Sequence, residues 1–181
     1  MGTLGSIFLF WGVIHMYNLT SCLNYGVIFK AVECANNEVL EEVEFFSKLY
    51  SVGALIKLGA APFHLWIPDN YAGVGVFVNM IFALLIKTIF FLSFFEVLLY
   101  IAFDGVFKIS MLLSLLVGCY FSLRQNELRR LIAYSSIVHT SFLLAGDAVA
   151  SLIYLLAYLV SNVYFFYFIL DRQKAEQKEF F

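Results

Sequence analysis

Apolar runs follow one another along this chain with little between them, at residues 4–20, 45–66, 75–100, 107–123, 128–146 and 150–170. A helix needs about 20 predominantly apolar residues to cross a bilayer, and these runs have about that length. In lipid every backbone N–H and C=O has to be paired within the protein, which only helices and closed barrels achieve. None of the runs alternates apolar and polar residues as a barrel strand does. The expected fold is all-α: a polytopic membrane protein with about six transmembrane helices, forming a single transmembrane domain over residues 1–170 with a polar C-terminal tail over residues 171–181. Composition agrees. Of the 181 residues, 62% are hydrophobic and 13% charged, whereas soluble domains are about 45–50% apolar and about 25% charged. No soluble core of this size hides so much apolar surface, so lipid is expected to cover much of it. A net charge of −2 carries no footprint for nucleic acid.

Several chemistries find no support. Cys22, Cys34 and Cys119 form neither a CxxC pair nor a metal-ligand spacing, and they read as small apolar packers. No Gly-rich dinucleotide loop is present, so no cofactor and no metal is expected in this chain. Residues 1–3 carry no basic side chain before the first run, which argues against a signal peptide or an Arg-rich transit peptide. The 21 Phe and 11 Tyr fit an A+T-rich genome such as that of many organelles.

One long polar connection, residues 21–44, separates the first two runs. Its acidic part, residues 36–44, has apolar positions at Val39, Leu40 and Val43. Asn37 reads as the cap of a short surface helix with Glu in its first turn, as the helix dipole prefers; the functional alternative is a cation-attracting mouth. Six spans place Arg124, Arg129, Arg130, Arg172, Lys174 and Lys178 on one side with both termini, and Lys30, Lys48 and Lys108 on the other. The positive-inside rule makes the first side cytoplasmic, or the matrix in a mitochondrion.

Three ionisable residues sit deep in the runs. Lys57 is 12 residues into the second, Lys87 lies 12 residues after Gly75, and His139 is 11 residues into the fifth. A lysine at a helix centre costs about 2.5–3.5 kcal/mol on insertion scales, and such residues mark ion and proton paths. The structural alternative is a snorkelling lysine, which needs a nearby helix end, and neither lysine has one. Burial disfavours the charged form of a lysine and a neighbouring carboxylate favours it, so a buried lysine is a proton carrier that a moving charge can switch. His139 is either a relay, since a neutral imidazole donates and accepts, or a hydrogen-bonded packing residue. His15 and Glu96 lie near span ends and read as interfacial or paired. Pro62, five residues after Lys57, removes a backbone donor and is expected to break or kink the second helix. A broken helix beside a buried charge is a recurrent transporter device, although a membrane proline also serves as plain geometry.

These residues carry a family resemblance. The stretch KLGAAPFHLWIPD at residues 57–69 resembles the broken seventh helix of the antiporter-like subunits of respiratory complex I. LRRLIAYSSIVH at residues 128–139 resembles their tenth helix with its basic lead-in, and IYLLAY at residues 153–158 with Asn162 resembles the eleventh. Residues 4–24 are similar to the sixth. The pattern is closest to the NADH dehydrogenase subunit 2 branch and covers most of residues 1–170. The resemblance implies an antiporter-like helix bundle with one broken helix at Pro62 and a share in a proton-translocating NADH:ubiquinone reductase of the mitochondrial inner membrane. It implies a proton path through Lys57, Lys87, His64 and His139. In the family the seventh-helix lysine pairs with a fifth-helix glutamate. NAD, FMN, iron-sulfur clusters and ubiquinone are bound by other subunits. The match begins at the sixth helix and stops after the eleventh, so the fifth-helix glutamate and the twelfth-helix lysine are expected from separate chains, as in a split gene. Two departures stand out: residues 70–75 lack the acidic residue and proline often found there, and Thr140-Ser141 replaces a more apolar pair. Two other readings stay open, a subunit of a cation/proton antiporter and a structural membrane subunit that no longer pumps.

Overall fold

The computed structural model describes residues 1–21, 24, 37–93, 105–146 and 148–179. Cys22, Cys34, Lys30 and Glu96 lie outside them. The described residues are helical and include no strand. In chain order they form α1 (Gly2–Thr20), α2 (Asn37–Leu58), a 3-10 turn (Phe63–Leu65), α3 (Trp66–Gly73), α4 (Val76–Ser93), α5 (Gly105–Ser122), α6 (Leu128–Ala145) and α7 (Ala148–Glu179). By length and composition, Val76–Ser93, Gly105–Ser122 and Val149–Arg172 can each cross a membrane.

Two expectations change in detail. The acidic segment expected as a short surface helix leading into the second span is continuous with it, in one helix described from Asn37 to Leu58. The second helix also stops short of residue 66. Its end is set upstream of Pro62, at Gly59, as described below. The polar tail continues α7 as helix to Glu179.

Packing follows from small residues where helices touch. At Gly53 a Cβ would lie 2.8 Å from the Leu9 backbone nitrogen and 3.0 Å from the Gly5 carbonyl oxygen, so only glycine lets α1 and α2 approach this closely. The buried side chains form two clusters. One gathers Tyr50, Leu55, Leu58, Phe91, Phe107 and Leu155. The other gathers Ile67, Tyr71, Val76, Ile132, Ile137 and Phe166 on either side of α3. Outward faces are strongly apolar: on α5 Ile109, Leu112 and Leu116 are exposed, and on α7 Ile153, Leu156, Val160 and Tyr167. A contiguous apolar exterior on this scale is a surface for lipid or for neighbouring helices.

Candidate proton-transfer site

The site is organised by a break between α2 and α3. Gly59 has φ +71°. Its N–H donates to the Ile56 carbonyl at 3.3 Å, and the N–H of Ala60 donates to the Leu55 carbonyl at 3.0 Å. This is the Schellman pattern, which ends a helix on a left-handed residue and satisfies its last carbonyls. Glycine is the residue that adopts this backbone at low cost. The chain then passes through a cis Ala61–Pro62 bond and re-enters helix at Phe63, whose N–H donates to the Ala60 carbonyl at 2.9 Å. Pro62 itself is exposed, downstream of the helix end that Gly59 makes.

The backbone groups of Ala61, freed by the break, are taken up by α5. The Ala61 N–H donates to Ser114 Oγ at 2.8 Å, and Ser110 Oγ donates to the Ala61 carbonyl at 2.5 Å. Ser114 Oγ donates in turn to the Ser110 carbonyl at 2.6 Å. All three residues are buried, where an unpaired backbone group would cost about 1–3 kcal/mol.

Contrary to the mid-helix position expected from the apolar run, Lys57 lies in the last turn of α2, one residue from its end, because Gly59 stops the helix there. It is half-buried, with its ammonium 5.4 Å from the centre of the Phe90 ring. Lys87 follows directly on a π-helical turn, Phe82–Ile86, and is buried. Such turns often occur at functional positions. Here the wider winding leaves carbonyls to side chains: the Tyr158 hydroxyl of α7 donates to the Ala83 carbonyl at 3.3 Å, and Thr88 Oγ1 of the same helix donates to the Leu84 carbonyl. The Lys87 ammonium donates to the Ser136 carbonyl on α6 and stands 5.6 Å from the centre of the Tyr158 ring, a cation–π distance. Among the described residues, no carboxylate pairs with Lys57 or Lys87.

A single cleft of about 40 Å³ joins the two lysines; Trp66, Tyr71, Phe90 and Ser136 also line it. One water needs about 10–15 Å³ of such volume, so the cleft has room for a short water bridge. The Trp66 indole N–H is buried without a hydrogen-bond partner among the described residues, in a residue that lines the cleft. Beyond Lys87 the polar line continues. The His139 ring lies 5.0 Å from the Tyr158 ring, and His139 Nδ1 shares a hydrogen bond with the Tyr154 hydroxyl at 2.7 Å.

The structure thus brings Lys57, Lys87 and His139 into one region. It does not bring His64 to the cleft: that residue is buried in the 3-10 turn with Nδ1 unpartnered. Reading the sequence alone missed Gly59 as the helix terminator, Ser110 and Ser114 as partners of the break, and Tyr154 and Tyr158 beside the lysine and histidine. A signal existed for both pairs, since hydroxyl residues four apart share one helix face.

Taken together, the fold and this site define a class: a helical membrane protein that sets two lysines on one internal cleft beside a broken helix. The model of the family NADH:quinone oxidoreductase/Mrp antiporter, transmembrane, matches residues 1–180, and the chain belongs to that family. NADH-quinone oxidoreductase subunit N of Cupriavidus taiwanensis is 38% identical over 81% of this chain and 31% of its own length. NADH-ubiquinone oxidoreductase chain 2 of Rhizopus oryzae is 31% identical over 92% of this chain and 34% of its own. A chain of respiratory complex I from Thermus thermophilus with bound aureothin superposes with a TM-score of 0.76 at 29% identity, over 91% of this chain and 37% of that one. The chain therefore spans about a third of the length of the relatives it matches.

Proposed function

We propose that this chain is part of a membrane-arm subunit of NADH:ubiquinone oxidoreductase, complex I, and carries a segment of its proton-translocation path. The observation that carries this reading is the shared cleft of Lys57 and Lys87, two cations within one helical membrane protein whose relatives are named as complex I subunits. Lys87 first hands its proton towards the Tyr158–His139–Tyr154 group, and a proton held on Lys57 then passes through water in the cleft to the neutral Lys87. Each transfer leaves one lysine neutral and the other charged, so a carboxylate approaching or leaving Lys57 shifts the proton's position. That carboxylate is supplied by the family's fifth helix, in a separate chain or in further length of this one. Redox cofactors and ubiquinone belong to other subunits. The likeness to a mitochondrial chain supports the mitochondrial inner membrane, with the Arg-rich side facing the matrix.

Native electrophoresis of the source membranes, stained for NADH oxidation and followed by peptide identification, tests membership. Peptides of this chain in the active band, together with helices holding an intramembrane glutamate, support the proposal. Migration of the chain apart from every redox subunit overturns it in favour of a cation/proton antiporter.

A further inference from the structure

Among the described residues, the N–H and carbonyl of Ala61 are both held by hydroxyl groups of one helix, α5. A serine inside a membrane helix ordinarily turns its proton back to its own helix, as Ser114 does to the Ser110 carbonyl. Ser110 instead donates across the helix boundary to Ala61, and Ser114 offers its lone pair to the Ala61 N–H. Both peptide groups that the break frees at this residue are therefore fixed to α5, one helical turn apart. Ser110 and Ser114 are 2% and 0% exposed, so solvent reaches neither bond.

Lys57 lies four residues before Ala61, and the hydrogen-bonded Schellman turn at Gly59 joins Ala61 to the last turn of α2. One turn further along α5, Gly118 meets α6: a Cβ there would lie 3.1 Å from the Val138 backbone nitrogen and 3.2 Å from the Tyr134 carbonyl oxygen. Helix α6 carries Ser136, whose carbonyl accepts from Lys87. A single face of α5 thus ties the backbone next to Lys57 to the helix that holds Lys87.

We propose that Ser110 and Ser114 are positioning residues, which pin the helix break through Ala61 and thereby hold the Lys57 ammonium at the cleft it shares with Lys87. This rests on the proton-path reading above. The pair touches no proton carrier; it sets the distance across which the proton moves.

The test uses membranes containing the whole assembled complex, with Ser110→Ala and Ser114→Ala made separately. Assembly is read on native gels, and protons moved are measured per NADH oxidised. Ser93→Ala serves as a control, because among the described residues Ser93 Oγ bonds within its own helix, to the Ile89 carbonyl at 2.7 Å. The expected result is an assembled complex in both variants with the proton-to-NADH ratio lowered at least twofold, and an unchanged ratio in the control. A wild-type ratio in both variants overturns the proposal. So does loss of the complex with a normal ratio in whatever remains, or with none remaining, since the serines are then structural only. Lys57→Met, run alongside, separates the two levels: a full ratio in that variant removes the proton-path reading itself, whereas a lowered ratio there with normal serine variants removes the positioning role alone.

Discussion

Replacing Gly59 by alanine attacks the break at its origin, and its cost can be worked out from two independent contributions. The left-handed backbone at φ +71° disfavours a residue with a Cβ by about 1–2 kcal/mol. The added Cβ would also stand 1.9 Å from Ile67 Cδ1 and 2.8 Å from Ile67 Cγ1. Ile67 belongs to a buried cluster and also lines the cleft of the two lysines, so making room for the Cβ costs it packing contacts. Overpacking of this kind costs about 1–3 kcal/mol. The expected total is about 2–5 kcal/mol, which at about 1.4 kcal/mol per tenfold lowers the equilibrium constant for the correctly built subunit by well over tenfold. The assay is heat dissociation of the detergent-solubilised complex, with the intact fraction read on native gels. Ile67→Val removes Cδ1 and alone costs about 0.5–1.5 kcal/mol. In the double variant part of the clash is gone, so the two effects fall short of their sum, as contacting residues do. A Gly59→Ala complex as heat-resistant as wild type, or a strictly additive double variant, refutes the reasoning.

Other perturbations test neighbouring parts of the structure. Gly118→Ala places a Cβ 2.5 Å from Val138 Cγ2 and against the α6 backbone, so it should destabilise by about 1–3 kcal/mol in the same heat assay; no change there removes the close α5–α6 contact. Tyr154→Phe deletes the 2.7 Å bond to His139 Nδ1. It should cost about 1 kcal/mol and lower the proton-to-NADH ratio, and a ratio equal to wild type places His139 outside the path. Lys87→Met is expected to leave an assembled complex that oxidises NADH but moves fewer protons, whereas an undiminished ratio removes Lys87 as a carrier.

Much of this architecture was legible in the residue order, and the rest was hidden for identifiable reasons. Long apolar runs announce helices directly, because lipid leaves the backbone few alternatives. The positions of Lys57, Lys87 and His139 also stand out from hydropathy alone. The break was assigned to Pro62 because proline cannot donate in a helix. The actual terminator, Gly59, depends on φ and on the 6→1 bond from Ala60, and neither is written in periodicity. Ser110 and Ser114 look like small packers in an apolar run; their partner is 49 and 53 residues away in sequence, so only the tertiary approach of α5 reveals them. The acidic segment reads as a helix leading into the second span, and the backbone runs from one into the other without interruption. His64 illustrates the converse. The family pattern sets it on the polar axis, while the tight winding of the 3-10 turn leaves it buried away from the cleft.

The family and its fold rest on the match over residues 1–180, and what is asked of this chain beyond them rests on one cleft. The most direct measurement is the number of protons translocated per NADH oxidised by membranes whose complex carries Lys57→Met, beside wild type. Methionine keeps the apolar stem and removes the charge. A path through Lys57 and Lys87 gives an assembled complex whose ratio falls clearly below wild type, whereas a Lys57→Met complex that assembles and pumps at the full ratio contradicts it.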